Sequence, residues 1–217
     1  NETEIFIGAG VSCVKVAHFS AKHGLEGIEF LAGIPGTIGG ALAMNAGAYG
    51  GEIWSYIKEV ETINRKGKRE IFEKDKFDIN YRSVSISENE WFIACKMKLE
   101  ISTRTVVSDR IKKMLSERAD GQPLGKLSCG SVFRNPTNQH AAKLIELCGL
   151  KGKKVGGAVI SDKHSNFIIN TGNATSLDIE KLIEFIQACV HEKYDIKLIP
   201  EVRIIGESNK GESNALV

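Results

Sequence analysis

The 217-residue chain carries 29 basic and 27 acidic side chains, a formal net charge of +2, with 42% hydrophobic and 26% charged residues. This is the balance of a globular protein with a sizeable core, and it argues against a face built for nucleic acid or another polyanion. No apolar run has membrane-spanning length, and the five scattered cysteines fit neither a zinc site nor a disulfide framework, so reduced, mostly buried thiols in a cytoplasmic protein are expected.

In chain order, "EIFIGAG" (Glu4 to Gly10) reads as a short strand ending in glycines. Ser12 to about His23 reads as a helix with Ser12 as N-cap and Gly24 as the stop. Next comes "GIPGTIGGALAMNAGAYGGE" (Gly33 to Glu52), seven glycines in twenty residues with Glu52 as the one charge. Each glycine inside a regular element costs about 0.5–1 kcal/mol relative to alanine, so neither a core strand nor a helix is expected there. "IKEVETINRKGKREIFEK" (Ile57 to Lys74) predicts a hairpin with Lys66-Gly67 at its solvated, basic tip. "WFIACKMKLEI" (Trp91 to Ile101) alternates like a half-buried strand.

The character changes near Ser102. Helices are expected over Ser108–Asp120, His140–Gly149 and Ser176–Tyr194, the last with Ile179, Leu182, Ile183, Ile186 and Val190 on one stripe. Strands are expected at Gly157–Ile160, Asn166–Asn170 and "PEVRIIG" (Pro200 to Gly206). The whole reads as α+β, divided into 1–104 and 105–206, with a polar, disordered tail over 207–217.

What the glycine-rich stretch does is narrowed by exclusion. A Walker A loop needs Lys-Ser/Thr after its last glycine, whereas Gly40 is followed by Ala41-Leu42. A dinucleotide fingerprint GxGxxG fails because Gly33 and Gly36 stand one residue too far apart. Two readings remain open. One is a cradle whose bare N–H groups hold a pyrophosphate while small residues admit a flat ring; the other is a tightly packed structural turn.

The stretch resembles the FAD-contacting segment of the UDP-N-acetylenolpyruvoylglucosamine reductase family. Three further motifs match in the same order: "YRSV" (Tyr81 to Val84), "GSVFRNP" (Gly130 to Pro136) and "PEVRIIG". The similarity runs from Ile5 to Gly206, and the short Gln122–Gly125 connection looks like the second structural type of the family. The resemblance implies a flavoenzyme of peptidoglycan precursor synthesis in the bacterial cytoplasm. Its cofactor would be FAD, its hydride donor NADPH, and its substrate a UDP-linked enolpyruvyl sugar. No metal, nucleic acid, membrane or obligate protein partner is implied.

Residue by residue, the match implies an FAD cradle of Gly33, Ile34, Pro35, Gly36, Thr37, Ile38, Gly39, Gly40, Asn45 and Gly47. Hydride addition to the enolpyruvyl group drives negative charge onto its carboxylate and leaves C2 needing a proton. Ser131 matches the proton donor, Arg82 the carboxylate ligand and Glu201 the third active-site residue; Asn135 and Tyr81 match the substrate cleft. Without the resemblance, Ser131 reads as a turn serine bonding its own backbone, Arg82 as a surface residue and Glu201 as the partner of Arg203 on one strand face. None of the five histidines lies in a matched motif, and none is expected to be catalytic.

The family has a first FAD-binding lobe that precedes the position of Asn1. On this reading 1–104 holds the C-terminal lobe alone and 105–206 the substrate domain, and the chain by itself is expected to bind flavin weakly or not at all. The rival readings are a flavin oxidase, which has no need to protonate carbon, and a nucleotide-sugar binding module without catalysis.

Overall fold

The computed structural model describes residues 3–206, so the tail expected over 207–217 lies outside the described residues. The chain divides into two units, Asn1–Asp120 and Gly121–Val217. The mixture is α+β, with antiparallel sheets accompanied by helices of their own unit.

The first unit is built on four antiparallel strands, β1 (Glu4–Gly8), β2 (Ile57–Asn64), β3 (Arg69–Glu73) and β4 (Glu90–Lys98), in the order β1-β4-β2-β3. The hairpin of β2 and β3 turns at Gly67, where φ is +77°. One face of the sheet is apolar through Ile7, Val60, Phe92, Cys95 and Met97, and it carries the unit's core. Helix α1 (Cys13–Lys22) starts where Ser12 Oγ accepts the Lys15 N–H, and it buries Cys13, Val16, Ala17, Ser20 and Ala21. It stops before Gly24, whose φ of +65° and near contact with Ser102 O leave no room for a Cβ.

Inside the glycine-rich stretch the expectation of no helix fails. Helix α2 (Ile38–Ala43) forms there, capped by Thr37 Oγ1, which accepts the Gly40 N–H at 3.4 Å. Its glycines serve close packing: a Cβ on Gly39 would stand 3.0 Å from Ala9 Cβ. Burying Ile38, Ala41 and Leu42 offsets the roughly 1 kcal/mol that each helical glycine costs.

Helix α3 (Arg104–Gly121) places Val107 and Ile111 in this same core, with Met114 and Leu115 packed against it. The division of the chain therefore falls after Asp120 rather than at 104/105, because the apolar stripe of α3 is spent on the first unit.

The second unit carries β5 (Ser128–Ser131), β6 (Lys154–Val155), β7 (Ala158–Ile160) and β8 (Phe167–Asn170), antiparallel in the order β5-β8-β7-β6. Helices α4 (Ala141–Leu147) and α5 (Ser176–Tyr194) supply Leu144, Ile145, Leu182, Ile183, Ile186 and Val190 to its core. A reciprocal pair starts α5: Asp178 N–H donates to Thr175 Oγ1 and Thr175 N–H donates to Asp178 Oδ2.

The strand expected over Pro200–Gly206 does not form. A single antiparallel bridge joins Pro200 to Phe133, while Ile204 and Ile205 are 59% and 91% exposed. With Ile204 and Ile205 open to solvent, nothing among the described residues favours a ladder there. Two of the five thiols are buried, Cys13 and Cys95; Cys129 is exposed and Cys148 and Cys189 are half-buried, so the thiols are less buried than expected.

Candidate functional site

In the first unit the starts of α1 and α2 lie side by side. Ser12 and Thr37 face each other in an antiparallel bridge, with Cys13 N–H donating to Gly36 O and Ile38 N–H to Val11 O. Gly39 N–H donates to Ala9 O at 2.9 Å and Gly40 N–H to the Thr37 hydroxyl. Of the backbone donors named as ligand contacts, those of Ile38 and Gly39 are thus used to join the two helix starts, and that of Gly40 is used in the N-cap of α2. The N–H groups of Gly36 and Thr37 take no partner among the described residues. Gly36 sits at φ +101°, and a Cβ there would meet nothing within 4 Å. Two uncommitted donors opening onto clear space fit an anionic cofactor group. Gly33 closes a short 3₁₀ turn, Ile34 N–H donates to Leu31 O, and Pro35 has no N–H, so these three supply shape rather than donors.

Asn45 and Gly47 belong to a different arrangement. The Asn45 side chain is buried, its Nδ2 donating to Glu52 Oε2 at 2.8 Å and to Asn80 O at 3.1 Å. Both partners are acceptors, which fixes the orientation of the amide and leaves its Oδ1 buried and unpaired among the described residues. The main chain of the same segment holds Arg82: Nη1 donates to Asn45 O at 3.2 Å and Nη2 to Gly47 O at 2.6 Å. The guanidinium also lies 4.8 Å from the Tyr81 ring centroid. Asn45, Tyr49 and Arg82 all have positive φ, at +41°, +54° and +55°. Strained backbone concentrated in one cluster is kept only where the surroundings over-determine it, and such clusters favour functional sites. Asn45 therefore faces inward and orders the segment that grips Arg82.

In the second unit Ser131 ends β5 opposite Phe167, at an irregularity in register that begins at Ser128. Gly130 precedes it at φ +81°. A bulge of this kind re-aims the next side chain, and the Ser131 hydroxyl takes no partner among the described residues. The turn-serine reading, with its own backbone as partner, finds no such bond. Glu201 is half-buried, and its N–H donates to Val132 O at 2.8 Å, so it stands beside the residue that follows Ser131. The Asn166 side chain clamps the same segment, accepting the Phe133 N–H through Oδ1 and donating to Phe133 O through Nδ2. Asn135 Oδ1 accepts the Ala141 N–H at 3.1 Å and so caps α4, which leaves Nδ2 as its outward donor.

The structure thus brings Ser131 and Glu201 together on one backbone bridge, and Arg82 together with Asn45 and Gly47. Sequence reasoning missed Glu52 and the juxtaposition of Ser12 with Thr37. Nothing local in the sequence marks a pairing across 25 positions.

A cavity of about 470 Å³ in the first unit is lined by Glu26, Glu29, Glu100, Tyr49, Tyr56 and Arg110, among others. Its one cation is already taken, since Arg110 pairs with Glu26 at 2.6 Å and Glu29 at 3.2 Å. An excess of carboxylates makes this cavity unsuited to the phosphates of a nucleotide, whatever its size.

The FAD binding domain family matches residues 1–72, and the UDP-N-acetylenolpyruvoylglucosamine reductase C-terminal domain family matches residues 122–205. The chain is 51% identical over 206 residues to the UDP-N-acetylenolpyruvoylglucosamine reductase of Legionella pneumophila (strain Corby), covering 94% of this chain and 67% of that protein. It is 49% identical over 205 residues to the enzyme of the same name from Alkalilimnicola ehrlichii, covering 94% of this chain and 69% of that one. The crystal structure of UDP-N-acetylenolpyruvylglucosamine reductase from Thermus caldophilus matches with a TM-score of 0.83 at 31% identity, covering 94% of this chain and 73% of that chain.

Proposed function

The chain belongs to the UDP-N-acetylenolpyruvoylglucosamine reductase family, and from that premise we propose that Ser131, Arg82 and Glu201 carry its reaction. It is an FAD-dependent oxidoreductase that uses NADPH to reduce the enolpyruvyl ether of UDP-N-acetylglucosamine enolpyruvate, giving UDP-N-acetylmuramate for peptidoglycan synthesis. Its place is the bacterial cytoplasm, where nucleotide-linked precursors and NADPH are found. No helix among the described residues is long and apolar enough to cross a membrane.

Bound FAD supplies a two-electron carrier between NADPH and the enolpyruvyl C3. The N–H groups of Gly36 and Thr37 would hold its anionic portion, and bare Gly36 would let it approach the chain closely. Arg82 receives the enolpyruvyl carboxylate, whose charge grows as hydride arrives. A planar, permanently charged guanidinium already fixed by two carbonyls is aimed before substrate binds, so little entropy is lost on binding. Ser131 Oγ delivers its proton to C2. Glu201, beside Val132, orients the serine and polarises the substrate. Asn135 Nδ2 and Tyr81 hold the UDP-sugar portion.

The observation that supports this reading is the Ser131 hydroxyl, set at a register irregularity near Glu201 with no partner among the described residues to claim its proton. The test is spectroscopic. The flavin-loaded protein should lose its visible absorbance on mixing with NADPH and regain it on adding the enolpyruvyl substrate. A flavin that NADPH bleaches but the enolpyruvyl sugar fails to reoxidise would count against the substrate, and a flavin that NADPH does not bleach in the full-length protein would count against the whole reading.

A further inference from the structure

Two cysteines of the second unit meet where its helices pack, and no step of the reaction uses them. Cys148 is the C-cap of α4, and Cys189 lies on the fourth turn of α5. The Cys148 Sγ stands 3.7 Å from Cys189 O, and both side chains pack, half-buried, against the same core. One helical turn further along α5 the contact is repeated, where Lys193 Nζ donates to Leu147 O at 2.6 Å. Positions 189 and 193 are four apart and so share one face of the helix. That face is turned to the end of α4, and it brings sulfur to sulfur's side of the junction at one point and an ammonium at the next.

Thiols that serve only as small apolar filler are buried and inert. Cys13 and Cys95 in the first unit are of that kind, whereas Cys148 and Cys189 keep part of their surface in water, so a small oxidant reaches them. Burial raises the Cys148 thiol, and the Lys193 ammonium opposes that shift. Oxidation at this junction is therefore slow rather than blocked. A disulfide needs Cα atoms about 4.4–6.8 Å apart. Cys148 already touches the main chain of Cys189, and it stands at the end of α4 before Gly149 at φ +73°. The chain can adjust there without disturbing the inner turns of the helix.

We propose that Cys148 and Cys189 are a modification site, closing under peroxide to a reversible disulfide that locks α4 to α5. One thiolate attacks a peroxide oxygen and becomes a sulfenic acid, with the first water leaving. The second thiolate attacks that sulfur, the S–S bond forms, and the sulfenic hydroxyl leaves as the second water. Two thiols are oxidised by two electrons and one hydrogen peroxide is reduced to two waters. The bridge lies at the opposite end of α4 from the Asn135 cap, and α5 holds Leu198 O through Gln187 Nε2. Locking the two helices stabilises the second unit without touching either proposed substrate contact. The proposal does not depend on the catalytic assignments.

The test treats the native protein with hydrogen peroxide, blocks remaining thiols with iodoacetamide after denaturation, and maps tryptic peptides by mass without reduction. Trypsin isolates the two cysteines in peptides 144–151 and 182–193, one thiol in each. The expected product is these two peptides joined, and dithiothreitol should return them to separate peptides. The treated protein should melt about 5–15 °C higher than the untreated one, as for a bridge closing a long loop, and dithiothreitol should abolish the gain. Cys189→Ala should lose both the joined peptide and the gain. The mapping needs no substitution, so a variant that fails to fold leaves it decisive. Both peptides recovered with alkylated thiols, or with separate sulfinic and sulfonic acids, would overturn the proposal. So would a bridge from either cysteine to Cys129.

Discussion

Glu201 donates its backbone N–H to Val132 O at 2.8 Å, which sets this carboxylate beside the residue following Ser131. The segments that carry these two proposed active-site side chains are therefore tied by a main-chain hydrogen bond. Replacing the Glu201 side chain should leave that backbone bond in place. Glu201→Gln is expected to keep the fold and the melting temperature while lowering kcat, because the amide cannot polarise the substrate as a carboxylate does. A large drop in melting temperature would assign Glu201 a structural role instead.

Arg82 gives a different expectation. Its guanidinium is held by Asn45 O and Gly47 O, so Arg82→Lys loses the planar fork while retaining charge. Substrate KM should rise and kcat fall together, by about 10- to 100-fold in kcat/KM for the loss of one charged hydrogen bond. Flavin reduction by NADPH should be unchanged, as measured by stopped-flow absorbance. Slower flavin reduction would place Arg82 at the cofactor rather than at the carboxylate.

Two glycines of the cradle separate ligand binding from folding. At Gly36, φ of +101° and open space mean that Gly36→Val strains the backbone at the ligand-facing turn and should abolish FAD retention. At Gly39 the missing side chain is filled by Ala9, so Gly39→Val should lower the melting temperature by forcing the two helix starts apart. Thermal melts and flavin-to-protein absorbance ratios of the two variants check this. Equal behaviour of both would mean that Gly36, like Gly39, is a packing residue.

Cys129 is exposed and stands two residues before Ser131, whereas burial pushes the Cys95 thiol up to about 12. A thiol alkylating reagent should therefore modify Cys129 ahead of Cys95 and inactivate the enzyme. Burial around its sulfur also raises the Cys129 pKa, so the reaction should be slow at neutral pH. Cys129→Ala should keep its activity and resist the reagent. Inactivation of Cys129→Ala at the wild-type rate would exclude this thiol as the target, and mass spectrometry of the labelled peptides identifies the residue modified.

The elements easiest to read in the sequence were those whose signals are local. The stripe of Leu182, Ile183, Ile186 and Val190 predicts α5, Lys66-Gly67 predicts the hairpin, and Ser12 with Gly24 brackets α1. Helix α2 was misread because Gly39 and Gly40 lower helix propensity, and propensity contains nothing about Ala9 lying 30 residues earlier against the helix. Pro200–Gly206 was misread as a strand because Val202, Ile204 and Ile205 are apolar, although two of the three face solvent. The internal role of Asn45 was hidden for the same reason: its partners Glu52 and Asn80 are set by tertiary packing. The motif residues themselves were identified through resemblance, since an unpaired serine hydroxyl cannot be recognised from spacing alone.

The capping pair of α5 yields a pH prediction. The Thr175 N–H holds the Asp178 carboxyl below the usual carboxylate range. A depressed folded-state pKa means that its contribution is complete above the unfolded value of about 3.9 and is lost as pH falls through the folded one. Thr175→Ala should cost about 1 kcal/mol at neutral pH. Asp178→Asn should flatten the loss of stability between about pH 4 and the acid limit. Thermal melts across that range check both, and an unchanged acid limb would show that Asp178 does not couple to folding.

The central claim is that Ser131 protonates C2, and rapid mixing of the Ser131→Ala holoenzyme tests it most directly. NADPH should bleach the flavin at a near wild-type rate, because no step of that half-reaction uses the serine proton. Reoxidation by the enolpyruvyl substrate should be slowed about 10²- to 10⁴-fold, the usual contribution of a general acid. Equal slowing of both halves would make Ser131 a structural residue, and reoxidation at the wild-type rate would remove it from the mechanism.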